Sequence, residues 1–193
     1  MSDNEKKLKD LVLAPYIIKA IALIWKGRRV GGNQFRHGFV TLGILLDYKY
    51  FPNSILLKAS VIHDLIEELP DTDVEELRAI DKDAPLVVAL VLEVTRRKDE
   101  TKCDYLRRIL ETGTANSKIL KIADRISNLT DLNSDSTSED KIAIYLNETE
   151  EYVVPMVRLV NNDMVKELTN LINRRREILI NRQLIENRIH MKQ

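Results

Sequence analysis

The chain of 193 residues has one cysteine, Cys103. A single cysteine excludes an internal disulfide and a cysteine-rich zinc site, and it suits a reducing compartment. Net charge is also missing: 30 Lys and Arg balance 30 Asp and Glu. No global field therefore draws the protein to nucleic acid or to an anionic membrane, and any anion site must come from local clusters. Five prolines, six glycines and 5% aromatics leave few helix breakers. Long apolar runs are lacking too. "YIIKAIALIW" (16–25) is short and contains Lys19, so it reads as a core helix rather than a membrane span. The start, "MSDNEKKLKD", is polar and mixed in charge, unlike a signal peptide. These absences lead to the expectation of a cytoplasmic protein without DNA or membrane partners.

What is present favours helices. Leu, Ile, Lys, Glu and Arg dominate. The 44% apolar and 31% charged residues fit a globular chain. The length suits one core, so a single domain over 1–193 is expected. Helical periodicity covers 5–26 and stops near Gly27. A loop rich in glycine and arginine, "GRRVGGNQF", occupies 27–35. Helices are then predicted over 36–48, 54–68, 73–80, 85–97, 101–112, 116–131, 139–160 and 163–189. Asn53 or Ser54 and Thr72 or Asp73 are their caps, and Pro70 and Gly113 are stops. A polar turn falls at 133–140. No window alternates well enough for a sheet, so the fold class is all-α.

Three histidines exist: His37, His63 and His190. "VIHDLIEELPDT" (61–72) sets His63 and Asp64 at the end of an apolar run. An unpaired buried carboxylate costs several kcal/mol, so Asp64 needs a partner or a metal. Glu67 and Glu68 follow in the last turn, where acids oppose the helix dipole by roughly 0.3–1 kcal/mol each. The plain alternative is that both glutamates face water. Asp124 borders the apolar stripe of Ile119, Ile122, Ala123, Ile126 and Leu129. Its plain alternative is a salt bridge to Lys121 or Arg125. His37, His63, Asp64 and Asp124 together form a mixed N/O set. Such a set suits an octahedral divalent ion with open positions better than a closed zinc site.

The order H…HD…D, with "HDLIEELPDT", "KIADRISN" (121–128) and the basic loop "GRRVGGNQFRH" (27–37), resembles the HD-domain metal phosphohydrolases. More specifically it is similar to the alarmone hydrolases of the RelA/SpoT type and their small stand-alone forms. "LEVTRRKDETKCDYLRRIL" (92–110) resembles a further stretch of that family. The likeness covers about residues 5–160.

The resemblance implies a single HD-domain helical bundle. It implies removal of the 3′-pyrophosphate from guanosine tetra- or pentaphosphate by water activated on Mn²⁺, or on another octahedral ion such as Fe²⁺, Co²⁺ or Mg²⁺. His37, His63, Asp64 and Asp124 would hold the ion. Glu67 and Glu68 would orient or activate the water. Arg28 and Arg29 would lie near the base or phosphates, and Arg125 and Asn128 would shape the nucleotide pocket. Three positions depart from the pattern: Glu68 stands for the usual Asp, Gly38 for a proline, and Phe35 for a tyrosine. An HD-type 5′-nucleotidase and a non-catalytic, nucleotide-binding HD domain are the alternatives, and a homo-oligomer is left open. Lys26, Arg28, Arg29 and Arg36, and beyond them Arg96, Arg97, Lys98 and Lys102, supply local positive charge for a polyanion. "NRRRE" (173–177) reads as a solvated or partner-facing surface. Cys103 and His190 are given no role.

Overall fold

In the computed structural model, residues 3–132 and 138–190 are described. The elements run α1 (Asp3–Lys9), α2 (Ala14–Ala20), a 3₁₀ segment (Ile21–Trp25), α3 (Gln34–Asp47), α4 (Ser54–Ile62), α5 (Leu65–Glu68) and α6 (Val74–Arg78). They continue with α7 (Ala84–Val94), α8 (Lys102–Thr112), α9 (Ala115–Asp131), α10 (Glu139–Glu148), a π turn (Thr149–Val153), α11 (Val154–Val160) and α12 (Asn162–His190). Among the described residues there is no strand, only an isolated bridge between Gly27 and Asn33. None of these helices is long and apolar enough to cross a membrane.

Helix α9 sits at the centre, packed by α3, α7, α11 and α12, while α4 packs on α3 and α7. Leu45, Leu57, Val87, Leu120, Leu146, Met156 and Leu168 bring seven helices into one buried cluster. Local chemistry fixes where the helices begin. The side chains of Asn33, Asn53, Asp73, Thr101 and Thr114 each accept a backbone N–H of the first turn they cap. The expected turn at 133–140 lies largely at 133–137, outside the described residues, and Ser138 stands at the N-terminus of α10.

Four predicted helices are broken or shortened. The 5–26 segment stops at Lys9 and resumes at Ala14, because Pro15 lacks an N–H and restricts the residue before it. Its apolar stretch is only half core: Tyr16, Ala20 and Leu23 are buried, whereas Ile18 and Trp25 are exposed. The 85–97 helix ends at Val94, where Thr95 turns extended. The 139–160 helix is interrupted by the π turn, directly before Pro155. A proline ring clashes with the carbonyl four residues back in a regular helix, and the wider turn removes that clash. The 54–68 helix parts at His63 and Asp64, which bears on the site.

The 173–177 reading also changes. Arg175 is buried, and it donates from Nε to the Leu129 carbonyl at 2.7 Å and from Nη2 to the Thr130 carbonyl at 2.5 Å. It satisfies the last carbonyls of α9, where a cation also suits the helix dipole. Its neighbour Arg176 pairs with Glu150 on the surface.

Candidate metal centre

His37 lies in the first turn of α3, just past the Asn33 cap. Its neighbour Gly38 lets α3 approach α4 closely. A Cβ at position 38 would sit 2.9 Å from the Val61 carbonyl oxygen and 3.4 Å from that of Ser60. The departure at this position thus coincides with the contact that sets the two histidine-bearing helices side by side.

Helix α4 ends at Ile62, and the His63 side chain is part of the reason. His63 Nδ1 lies 2.7 Å from the Ser60 carbonyl oxygen, to which it donates. Asp64 follows at φ −90°, ψ −4°, off the regular helix. The break turns Asp64 toward a cavity, with its side chain 24% exposed. The buried position expected for it is therefore corrected to a half-buried one.

Asp124 comes from the middle of α9 and meets both histidines. His37 Nε2 is 3.0 Å from Asp124 Oδ1, and His63 Nε2 is 3.9 Å from the same atom. Asp64 reaches within 3.7 Å of His37 Nε2 and 3.4 Å of His63 Nε2. The two rings are 5.2 Å apart. His37, His63 and Asp124 are all buried, and each offers a ligand atom within 4.8 Å of the others.

The donor set fits a divalent cation. The bond to Ser60 places the proton of His63 on Nδ1 and leaves a lone pair on Nε2. That buried Nε2 has no hydrogen-bond partner. A buried polar atom without a partner is costly, and here it points at three other potential ligands. His37 Nδ1 lies 2.9 Å from Ser127 Oγ. His37 Nε2 donates to Asp124 Oδ1 at 3.0 Å; the Ser127 hydroxyl serves either tautomer, so with the proton on Nδ1 the same Nε2 would present a lone pair to an ion. Such outer bonds orient metal-binding imidazoles.

Asp124 is held from both sides along α9. Lys121 Nζ bonds Oδ2 and Asn128 Nδ2 bonds Oδ1, each at 2.6 Å. Burial alone would raise the Asp124 carboxyl. The Lys121 ammonium, then His37 and His63, overcome it and hold the group well below the usual carboxylate range. Burial works against the Lys121 ammonium as well, yet the Asp124 charge keeps it protonated. The expected alternatives for Asp124 are thus both present: it pairs with Lys121 and it belongs to the cluster.

A cavity of about 280 Å³ opens over this cluster, and Glu67 and Glu68 stand in its wall. Glu68 Oε1 accepts from Gln34 Nε2 at 3.0 Å. Glu67 is exposed as a residue. Lost solvation in the cavity wall still raises its carboxyl above the usual range, with Asp64 adding to the rise and Lys121 and Arg96 opposing it. A second cavity of about 480 Å³ adjoins the first, sharing Gln34, Lys102, Asn128 and Tyr145. Arg29 is exposed at this second chamber, with Lys141 and Ile144 also in its lining. Arg28 is only 7% exposed and is tied to α9. Arg125 is fully buried: Nη1 donates to Thr149 Oγ1 at 3.0 Å, and the guanidinium lies 4.0 Å over the Tyr145 ring.

Lys121, Gln34 and Tyr145 are site residues that the sequence reading did not assign. Lys121 had a signal, one helical turn before Asp124. Gln34 and Tyr145 had none. The Arg108 side chain, by contrast, is structural, bonding Glu100 and the carbonyls of Glu93 and Thr95.

No protein-family model matches this chain, and no curated protein sequence matches it. A solved structure does: a metazoan ortholog of SpoT that hydrolyzes ppGpp and plays a role in starvation responses. The two share 22% sequence identity and superpose with a TM-score of 0.72, over 88% of this chain and 95% of that one. The chain has the all-α HD-domain fold of that structure.

Proposed function

We propose that the protein is a metal-dependent phosphohydrolase that removes the 3′-pyrophosphate from guanosine tetra- or pentaphosphate. The observation that carries this reading is the buried His37–His63–Asp124 cluster, with the unpartnered His63 Nε2 and Asp64 beside it. The fold shared with a protein that hydrolyzes ppGpp supports the choice of substrate. His37, His63, Asp64 and Asp124 would hold the ion, with Mn²⁺ the first choice for an N/O set of this kind. Such an ion, when bound, supplies Lewis acidity that activates water and offsets charge on phosphoryl oxygens.

The chain's own groups do the rest. Glu67, whose carboxyl is pushed above the usual range by lost solvation, accepts the proton of the attacking water. Glu68, steadied by Gln34, aims the attacking water. Arg29, Lys102 and Lys141 meet the phosphates of a nucleotide in the larger chamber, while Arg28 and Asn128 build its inner wall and Arg125 lines the smaller cavity beside it. The test is pyrophosphate release from guanosine tetraphosphate with added Mn²⁺, with Asp64→Ala as control. Release that vanishes in the variant is expected. A chain that holds stoichiometric Mn²⁺ without releasing pyrophosphate would refute the substrate.

A further inference from the structure

Arg28 belongs to the glycine-rich loop and lines the larger chamber, but its guanidinium is bonded to α9. Backbone bonds fix the loop on both sides of it: Arg28 N–H to the Gly32 carbonyl at 3.1 Å, and Gly31 N–H to the Arg28 carbonyl at 3.0 Å. Gly31 and Gly32 hold φ of +89° and +72°, which such a turn requires. The guanidinium then spans one turn of α9. Nη1 donates to Asp131 Oδ2 at 3.1 Å and Nη2 to Asn128 Oδ1 at 2.7 Å. Asn128 in turn donates from Nδ2 to Asp124 Oδ1 at 2.6 Å.

The chemistry of the three partners leaves the Asn128 amide one orientation. A guanidinium only donates and a carboxylate only accepts, so the amide oxygen must face Arg28 and the amide nitrogen Asp124. We propose that Arg28 is a positioning residue of the metal centre, which acts through Asn128 to fix the carboxylate of Asp124. The basic loop and the metal cluster are then energetically coupled, although Arg28 touches no ligand atom. This rests on reading the His37–His63–Asp124 cluster as a metal centre. It also accounts for an arginine at position 28, since a lysine cannot hold Asn128 and Asp131 with one planar fork.

The sign of the effect separates positioning from charge. Removing a cation near a metal site strengthens cation binding if Arg28 acts only through its field. If Arg28 orients Asn128, the same removal weakens binding, by about 10- to 100-fold as for other outer-shell partners. The experiment is calorimetric titration of the full chain with Mn²⁺ alone, no nucleotide present, on wild type, Arg28→Met, Asn128→Ala and the double variant. Weaker binding in Arg28→Met is expected, with the double variant no weaker than Asn128→Ala alone. Unchanged or tighter binding in Arg28→Met, or losses that simply add in the double variant, would overturn the proposal. Should Arg28→Met not fold by circular dichroism, Arg28→Lys decides: it keeps the charge, and binding equal to wild type overturns the proposal. A wild-type chain that takes up no Mn²⁺ overturns the metal-centre reading itself, a result distinct from normal uptake with indifferent variants.

Discussion

Replacing Gly38 with alanine tests how tightly the helix contact governs the site. The added Cβ would lie 2.9 Å from the Val61 carbonyl oxygen, where an ordinary contact starts at 3.4 Å. The partner atom is backbone, so no side chain can swing aside. Helices α3 and α4 must part by about half an ångström. Overpacking of this kind costs about 1–3 kcal/mol. Alanine returns about 1 kcal/mol of helix propensity, so the net loss of stability is about 0–2 kcal/mol. Metal binding should suffer more. His37 precedes position 38 and His63 lies two residues beyond Val61, whereas ligand distances tolerate only about ±0.2 Å. The expected outcome is a modest fall in the urea midpoint with Mn²⁺ affinity reduced about tenfold or more. Gly43→Ala in the same helix is the control. Its Cβ meets nothing within 4 Å, so it should gain about 1 kcal/mol and bind Mn²⁺ normally. Wild-type Mn²⁺ affinity in Gly38→Ala, with stability raised as in the control, would refute the reasoning.

Three further outcomes follow from the same structure. Glu68→Gln should keep Mn²⁺ affinity near wild type and lower the rate of pyrophosphate release; undiminished release would remove Glu68 from the reaction. Arg175→Ala removes a buried guanidinium and its two bonds to the Leu129 and Thr130 carbonyls, and a loss of about 1–3 kcal/mol is expected in urea unfolding; an unchanged midpoint would mean water and the Leu132 N–H replace it freely. Acid should destabilise the fold through Asp81 and Asp83. Burial works against the Asp81 carboxylate, but bonds from Lys58 and Tyr16 prevail, and the Lys58 bond leads for Asp83, so both are held below the usual range. Their contribution is present above the unfolded value of about 3.9 and is lost as pH falls through the lower folded values. In Lys58→Met that acid loss should shrink in urea midpoints measured between about pH 5 and 2; a loss as large as in wild type would mean that other carboxylates cause it.

Much of the architecture was legible because helical signals are local. Periodicity located α3, α8 and α9 nearly to their ends, and Asn53 and Asp73 cap the helices they were assigned to. The order of His37, His63–Asp64 and Asp124 pointed to one cluster, and the fold brings all four side chains together. What escaped was set by tertiary contact. The break at His63 depends on a side chain bonding the Ser60 carbonyl, which competes with the helix from within it. Arg175 lies in a run of three arginines that looks solvated, and only the packing of α12 on α9 selects the middle one for burial. Arg28 is expected near the base or phosphates, and it does line the larger chamber; what the sequence does not show is that Gly31 and Gly32 shape a turn that also ties it to Asn128 and Asp131. Pro15 and Pro155 were visible, and each marked a break that the helical pattern overrode in the sequence reading.

The π turn at Thr149–Val153 behaves as one residue too many in an otherwise continuous α10–α11 path. Each residue of a regular helix advances about 100° around the axis. The extra one lets Tyr145 face the cavities while Val153, Met156 and Val157 keep to the core, two faces that a strict 3.6 repeat would not align. Deleting a single residue there would restore the regular repeat and set Pro155 against the carbonyl four positions before it. One of the two faces would rotate out of place: either Tyr145 leaves the Arg125 guanidinium or Met156 leaves the core. The length of this segment, more than its composition, therefore fixes the phase between the pocket and the interior, and a change of one residue in the chain here is a change in the shape of the chamber.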